Sequence, residues 1–274
     1  MNDVEHLAVA AAGASIRPLS VEQNLGAITH LMLPRGIAPP PPQAQRYLCD
    51  IAETIRLRVR QSLIASSAGG SAIAVLAAIG ALGAELAGFY EGEFDRQRTI
   101  DVAFEEGLAA VECRKGCSFC CRLKVTATPL EVIRITAALD DARRTSVLAT
   151  AEAVAGLSGR ERLARQVHCP LLFEGACSAY EVRPLTCRAL LSQSAALCER
   201  QFQVGVTAGD AAGVPNPVAP RLIAAALING QVAALRDLGL ASHMVELIAA
   251  LAALARDSSL FARWLSREDV FGRA

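Results

Sequence analysis

The sequence predicts a mainly α protein with an irregular cysteine-rich segment in its middle and one short β-hairpin. Apolar residues recur at spacings of three and four on both sides of that segment, which is the period of a helix buried on one face. No run alternates long enough to predict a larger sheet. The chain has 274 residues, of which 53% are hydrophobic, so it can bury a substantial core.

The N-terminal part is predicted to be a loosely ordered arm followed by helices. Residues 1–42 end in four consecutive prolines, a stiff segment that cannot continue a helix. Helical periodicity starts directly afterwards, with one apolar face formed by Leu48, Ile51, Ile55, Val59 and Leu63. A further helix from about Arg96 to Glu112 is expected to lead into Cys113.

The middle of the chain carries clear local signals. Thr128-Pro129-Leu130-Glu131 is a capping box with proline in the first turn, and it predicts a helix start. Another helix is expected from about Ser146 to Leu157. The best hairpin candidate runs from Leu171 to Cys177 and turns at Gly175.

The C-terminal quarter is predicted to be helical again. One helix is indicated by Leu222, Ile223, Leu227, Val232 and Leu235. A second is expected over Val245 to Leu254 and a short last turn over Phe261 to Leu265. The predicted divisions are therefore a helical region 43–112, a cysteine region 113–198 and a helical region 199–274, with 43–274 forming one unit.

Composition narrows the classes of function. Lys plus Arg and Asp plus Glu both total 27, so nothing favours nucleic acid as a partner. Ser62 to Ala84 carries no charge and is about the length of a membrane span, but it consists mostly of Ala, Gly and Ser. We therefore predict a buried helix there and no membrane partner. The acidic N-terminus is unlike a secretory signal, so a cytoplasmic location is predicted.

A reducing cytoplasm favours metal binding or catalysis over disulfides as the role of nine cysteines. Four of them form Cys113-x3-Cys117-x2-Cys120-Cys121, and three more form a second group. Thiolates at such spacing can surround a soft metal. The predicted metal ligands are Cys113, Cys117, Cys120, Cys121, Cys169, Cys177, Cys187 and Cys198. Cys49, far from both groups, is predicted to be a packed residue.

The number of cysteines leaves the stoichiometry open. Eight thiols exceed what one tetrahedral zinc needs, so two ions, or one cluster plus an ion, both fit. The side chains of adjacent Cys120 and Cys121 tend to diverge, so one of them could serve a second metal, bridge two metals or stay free for redox chemistry. We expect the two motifs to build one site region together. His168, Tyr180, Arg183 and Arg188 are predicted to support the ligands from outside.

The second motif makes the segment recognisable. It reads Cys169-Pro170-Leu171-Leu172, then Cys177-Ser178-Ala179-Tyr180, then Arg183-Pro184-Leu185-Thr186-Cys187-Arg188. Together with the first motif it resembles the YkgJ-like cysteine-cluster family, described as zinc- or iron-chelating proteins, over about residues 113–198. A similar motif occurs in the flagellin lysine methylase. The resemblance implies a zinc, iron or iron–sulfur cofactor but no agreed reaction.

The sequence leaves three functions open. A redox or modification enzyme suits an all-sulfur ligand set. A structural zinc module would instead fold the loops while the helical flanks bind an unknown protein partner. Cys113, Cys117 and Cys120 also have the spacing of radical S-adenosylmethionine enzymes, although the alternating strands and helices of those enzymes are not apparent after Cys121.

Overall fold

The computed structural model describes residues 39–204 and 214–272, together with Ser20, Gln23, Gly26 and Ala27. Most of the predicted N-terminal arm therefore lies outside the described residues. The described part is mainly α, as predicted, with eleven α-helices between residues 42 and 265. The only strands in it form two antiparallel pairs of two residues each.

The first half of the fold consists of long helices followed by short elements. In chain order these are α1 (Pro42–Ser67), α2 (Ala72–Ile100), α3 (Val102–Ala109), a 3-10 helix (Phe119–Arg122), β1 (Thr126–Ala127), α4 (Pro129–Ala137), α5 (Asp141–Val154) and α6 (Gly159–Ala164). The second half contains β2 (Leu172–Phe173), β3 (Ala176–Cys177), a 3-10 helix (Tyr180–Val182), α7 (Leu185–Ala189), α8 (Ala195–Val204), α9 (Val218–Asp237), β4 (Val245–Glu246), α10 (Leu247–Arg256) and α11 (Ser259–Leu265).

The core is built around α1 and α9, which pack against each other along their length. Gly230 of α9 marks their closest approach, because a Cβ atom there would lie 2.5 Å from the carbonyl oxygen of Ala52. Asp237 ends α9, and both of its carboxylate oxygens accept hydrogen bonds from buried Arg56 of α1, at 2.6 and 2.9 Å. A bidentate arginine–carboxylate pair restricts the relative orientation of the two side chains in addition to pairing their charges.

The predicted single helix over Ser62 to Ala84 is wrong. The chain turns between α1 and α2, where Gly70 adopts a φ of +66° and the side chain of Ser71 caps α2. Glycine takes that conformation without the steric cost that a Cβ imposes. α2 buries one face, which includes Val75, Ile79 and Leu82.

Two helices in the described part are long and apolar enough to cross a membrane, judged by length and composition. In α9, 78% of the most apolar 18-residue window is buried within the protein, as in the core helix of a globular domain. In α2 the corresponding fraction is 22%. The first value accounts for the apolar character of α9 through packing, whereas most residues of the α2 window are partly buried or exposed.

The helix start predicted at Thr128 is confirmed, whereas the helix expected from about Ser146 to Leu157 is α5 (Asp141–Val154), which starts five residues earlier because Asp140 caps it. Thr128 and Glu131 form both halves of the capping box at α4. The helix expected from Arg96 to Glu112 is divided at Asp101, whose side chain accepts a hydrogen bond from the amide of Phe104 and so begins α3. Aspartate is among the preferred N-cap residues.

A strand pair that the sequence did not predict joins the cysteine region to the C-terminal helices. β1 and β4 are antiparallel, with Thr126 opposite Glu246 and Ala127 opposite Val245. The amide of Leu247 extends the pairing by donating to the carbonyl of Val125 at 2.9 Å. Residue 245, expected to open a helix, is therefore in a strand, and α10 begins two residues later.

Candidate metal centre

The first cysteine motif occupies a turn and a 3-10 helix after α3. Gly116, with a φ of +93°, lets the chain reverse between Cys113 and Cys117. The amide of Cys117 closes that turn by donating to the carbonyl of Arg114 at 3.0 Å. Cys120 and Cys121 follow on the 3-10 helix, which has no buried residue. Local backbone bonds shape this motif, and partly buried Phe119 packs against Leu163 and Cys198.

The second motif is held by the predicted hairpin and by α7. β2 and β3 pair with Leu172 opposite Cys177, and Gly175 makes the turn with a φ of +79°. The hairpin prediction is therefore confirmed. Cys187 lies in α7, five residues long, which starts after Pro184.

Hydrogen bonds join the two motifs directly. The amide of Cys169 donates to the carbonyl of Cys121 at 2.6 Å. The Glu131 carboxylate that caps α4 also accepts a bond from the amide of Leu185 at 2.7 Å. The hydroxyl of Thr186 donates to the carbonyl of Thr126 at 2.9 Å. The capping box thus fixes the helix start and, at the same time, the segment that carries the last cysteine of the second motif.

Seven of the eight predicted cysteine ligands line one cavity with a volume of about 350 Å³. They are Cys113, Cys117, Cys120, Cys121, Cys169, Cys177 and Cys187. The structure therefore brings both motifs to one place. That these thiols bind a metal remains a prediction.

The eighth predicted ligand, Cys198, lies on α8 and is not part of the cavity lining. Its thiol donates to the hydroxyl of Ser192 at 3.1 Å. The backbone amide of Ser192 in turn donates to the sulfur of Cys113 at 3.0 Å. One serine therefore links Cys198 to the first cysteine of the cavity.

The nine cysteines form no disulfide, and Cys49 is buried on α1, far along the chain from the cavity. Within the described ranges, no three His, Cys, Asp or Glu side chains are already grouped around a point as one metal ion requires. The thiols are instead spread over the cavity wall. Their chemistry fits zinc, iron or an iron–sulfur cluster, since all three take thiolate ligands.

The cavity thiols fall into two electrostatic neighbourhoods, meaning groups of sulfurs that affect one another's pKa. The first contains Cys169, Cys177 and Cys187. Burial, followed by repulsion from Cys169, Cys120 and Cys177, raises the pKa of Cys187. Burial raises the pKa of Cys169 to about 11. Charge on one sulfur thus disfavours charge on the next, and a cation at the centre would remove that repulsion.

Cys113 and Cys198 belong to a second neighbourhood. Burial raises the pKa of both thiols, and repulsion from Cys117 and Cys120 adds to it in each case. The Cys120 thiol has the opposite shift, because a hydrogen bond with Cys121, a backbone hydrogen bond and the charge of Arg183 lower its pKa. Cys120 therefore interacts with both neighbourhoods.

The cavity also has a cationic lining that the sequence predicted only in part. Predicted Arg183 lies in the lining and stacks its guanidinium over predicted Tyr180, 4.0 Å from the ring centre. Predicted Arg188 is outside the lining and pairs with Glu91 at 2.8 Å. Exposed His168 contacts Arg122, at 3.1 Å, instead of the cavity.

Sequence reasoning missed Arg162 and Glu246. Both line the cavity, and they form an ion pair of 3.3 Å. Arg162 reaches it from α6 and Glu246 from β4, elements 84 residues apart that meet through the β1–β4 pair. A two-residue strand has no detectable period, so no sequence signal pointed to these residues.

A protein-family model matches the part of the chain that contains the cysteine cavity. Residues 112–203 match the family model CxxCxxCC, whose description is "Putative zinc- or iron-chelating domain". The match confirms the predicted cysteine-cluster family over about a third of the chain. No curated protein and no solved structure matches the chain.

Proposed function

We propose that the cysteine cavity holds an iron–sulfur centre and that the chain is a redox or modification enzyme built around it. The observation that carries the proposal is the single cavity lined by seven thiols. A structural zinc takes four ligands in a closed tetrahedron. Seven thiols around one cavity exceed that number and suit a larger centre or two centres.

The electrostatic neighbourhoods suggest how eight cysteines divide. One set of four contains Cys113, Cys117, Cys120 and Cys198. The other contains Cys121, Cys169, Cys177 and Cys187. Cys120 and Cys121 hydrogen-bond each other, so the vicinal pair joins the two sets. Two closely spaced centres, or one cluster with an adjoining ion, follow from this division.

The cationic lining supports a charged thiolate centre. Arg162 lowers the pKa of Cys169 against the larger effect of burial, and Arg183 does the same for Cys177. Guanidinium groups beside thiolates offset their negative charge and donate hydrogen bonds to sulfur. An iron–sulfur centre supplies one-electron transfer, and this lining would stabilise its anionic states.

A structural zinc module is the second candidate, and one observation favours it. The 3-10 helix with Cys120 and Cys121 buries no residue, so a metal would supply the stability that packing does not. The helical flanks would then bind a protein partner. The radical S-adenosylmethionine alternative lacks such support, because the strands of the described residues form two short antiparallel pairs instead of an alternating series with helices.

Anaerobic purification followed by metal analysis tests the proposal. We expect a coloured protein that contains iron and acid-labile sulfide and that bleaches on reduction with dithionite. Cys120→Ser should lose most of this absorption, whereas Cys49→Ser should keep it. A colourless protein with stoichiometric zinc and no iron would contradict the iron–sulfur proposal and support the zinc module.

A further inference from the structure

The cysteine cavity has more room and a different wall than a metal centre alone requires. Its volume of about 350 Å³ falls at the lower end of pockets that hold small organic ligands, which span roughly 300–1,000 Å³. Besides the cysteines, part of the wall is aliphatic, formed by Leu123, Val125, Leu190, Leu191, Leu247 and Ile248. Such side chains offer nothing to a metal, but they bury the carbon skeleton of a ligand.

Some polar groups of the cavity wall have hydrogen-bond partners, and others have none. Arg162 is 3% exposed, and its Nη1 donates to Glu246. Its Nε atom is also buried, yet this N–H has no hydrogen-bond partner. Leaving such a donor unpaired costs about 1–3 kcal/mol. The Nε of Arg183, in the same lining, is buried and unpartnered too.

Glu246 cannot satisfy these donors. One of its carboxylate oxygens accepts from Arg162, and the other caps α10 by accepting from the amide of Ala249 at 2.7 Å. It is the one carboxylate in the lining, against the cations Arg114, Lys124, Arg162 and Arg183. Apart from the thiols, the lining therefore has an excess of positive charge, and two buried arginine N–H groups beside it have no acceptor.

We propose that this cavity binds a small organic anion, with a carboxylate or phosphate group against Arg162 and Arg183 and an apolar body along the aliphatic wall. The anion accepts hydrogen bonds from the guanidinium groups of these two arginines. Exposed Arg114 and Lys124 mark the opening through which it enters. The inference rests on the proposed function, since the anion would lie beside the cysteine centre as its substrate.

Charge compensation of a thiolate centre is the competing explanation for the arginines. It predicts no dependence on an apolar body, and it leaves the aliphatic wall without a role. Three probes separate the explanations. Hexanoate has both the anion and the apolar body, acetate has only the anion, and hexanol has only the body.

Calorimetric titration of the anaerobically purified full chain provides the test. We expect hexanoate to bind at least about tenfold more tightly than either partial probe. Hexanol lacks hydrogen bonds to a charged group, which contribute about 1.5–3 kcal/mol, and acetate lacks four CH₂ groups, whose burial contributes about 0.8 kcal/mol each. Arg162→Gln and Arg183→Gln should each weaken hexanoate binding about tenfold. The matched control is Arg221→Gln, a half-buried arginine on α9 outside the lining, which should change nothing.

Metal content, measured before each titration, reports on the proposed function alone. Hexanoate binding no tighter than that of both partial probes overturns the anion site, whatever the metal content. Equal hexanoate affinity in wild type and in folded, metal-replete Arg162→Gln overturns it as well. If Arg162→Gln does not fold, Arg183→Gln and the three wild-type titrations decide.

Discussion

The α1–α9 pair and the cysteine loops are stabilised in different ways. Along α9 nearly every residue from Leu222 to Leu235 is buried, and the helix presses against α1 closely enough to require Gly230. The 3-10 helix of the first cysteine motif buries none of its residues. Burial of apolar surface stabilises the helical pair, whereas the loops depend on hydrogen bonds and on whatever their thiols bind.

Removing the metal should produce the largest difference between the two regions. We expect a chelator to abolish most amide protection in residues 113–124 and 172–187, while α1 and α9 keep theirs. A ligand at a hundred times its Kd stabilises the bound form by about 2.7 kcal/mol, so loop protection should fall about a hundredfold. Hydrogen exchange with and without chelator measures this. Equal loop protection in both states would show that the fold, not the metal, orders the loops.

The reverse change is Gly230→Ala, which acts on the helices alone. The new methyl group would lie 2.5 Å from the carbonyl oxygen of Ala52 and 2.8 Å from the Cβ of Ile55. We expect a loss of about 1–3 kcal/mol in the free energy of unfolding, as for other overpacked cores. Metal per folded chain should not change.

Gly80→Ala is the matched control for this substitution. Gly80 is also in a long helix, α2, but nothing lies within 4 Å of its added Cβ. Alanine should therefore raise stability by about 0.5–1 kcal/mol. Denaturant unfolding of both variants compares them. A similar effect in the two variants would refute the assignment of Gly230 as a close-contact position.

A double-mutant cycle tests whether the loops form one unit. Cys117 and Cys187 come from different motifs but line the same cavity. Cys117→Ser and Cys187→Ser should each disturb the absorption and metal count of the whole centre, and the double variant should add little. Strictly additive losses would indicate two independent sites.

The same contrast explains how much the sequence revealed. Helical periodicity marked the inner face of α1, and the capping box marked α4, because both signals lie within a few residues. The cysteine motifs predicted all seven thiols of the cavity lining, since sulfur ligands are recognised by residue type and spacing.

What the sequence could not predict depends on long-range contacts. The β1–β4 pair joins positions more than a hundred residues apart through four residues, too few for a period. That pairing brings Glu246 to the cavity, where it forms an ion pair with Arg162 of α6. Gly69-Gly70 interrupts the apolar run from 62 to 84 and is a local turn signal, which the prediction of one helix over this run did not take into account.

The smallest expected effect concerns the two cysteines outside the cavity lining. Cys49, buried on α1, should tolerate serine with full metal content, at a cost of about 1–3 kcal/mol in unfolding free energy for the buried hydroxyl. Cys198→Ser should instead lower the metal per folded chain, because Cys198 contacts Ser192, which donates to the sulfur of Cys113. Metal analysis and denaturant unfolding of both variants separate a ligand from a packed thiol. Full metal content in Cys198→Ser would place Cys198 with Cys49, and the centre would then rest on the seven cavity cysteines.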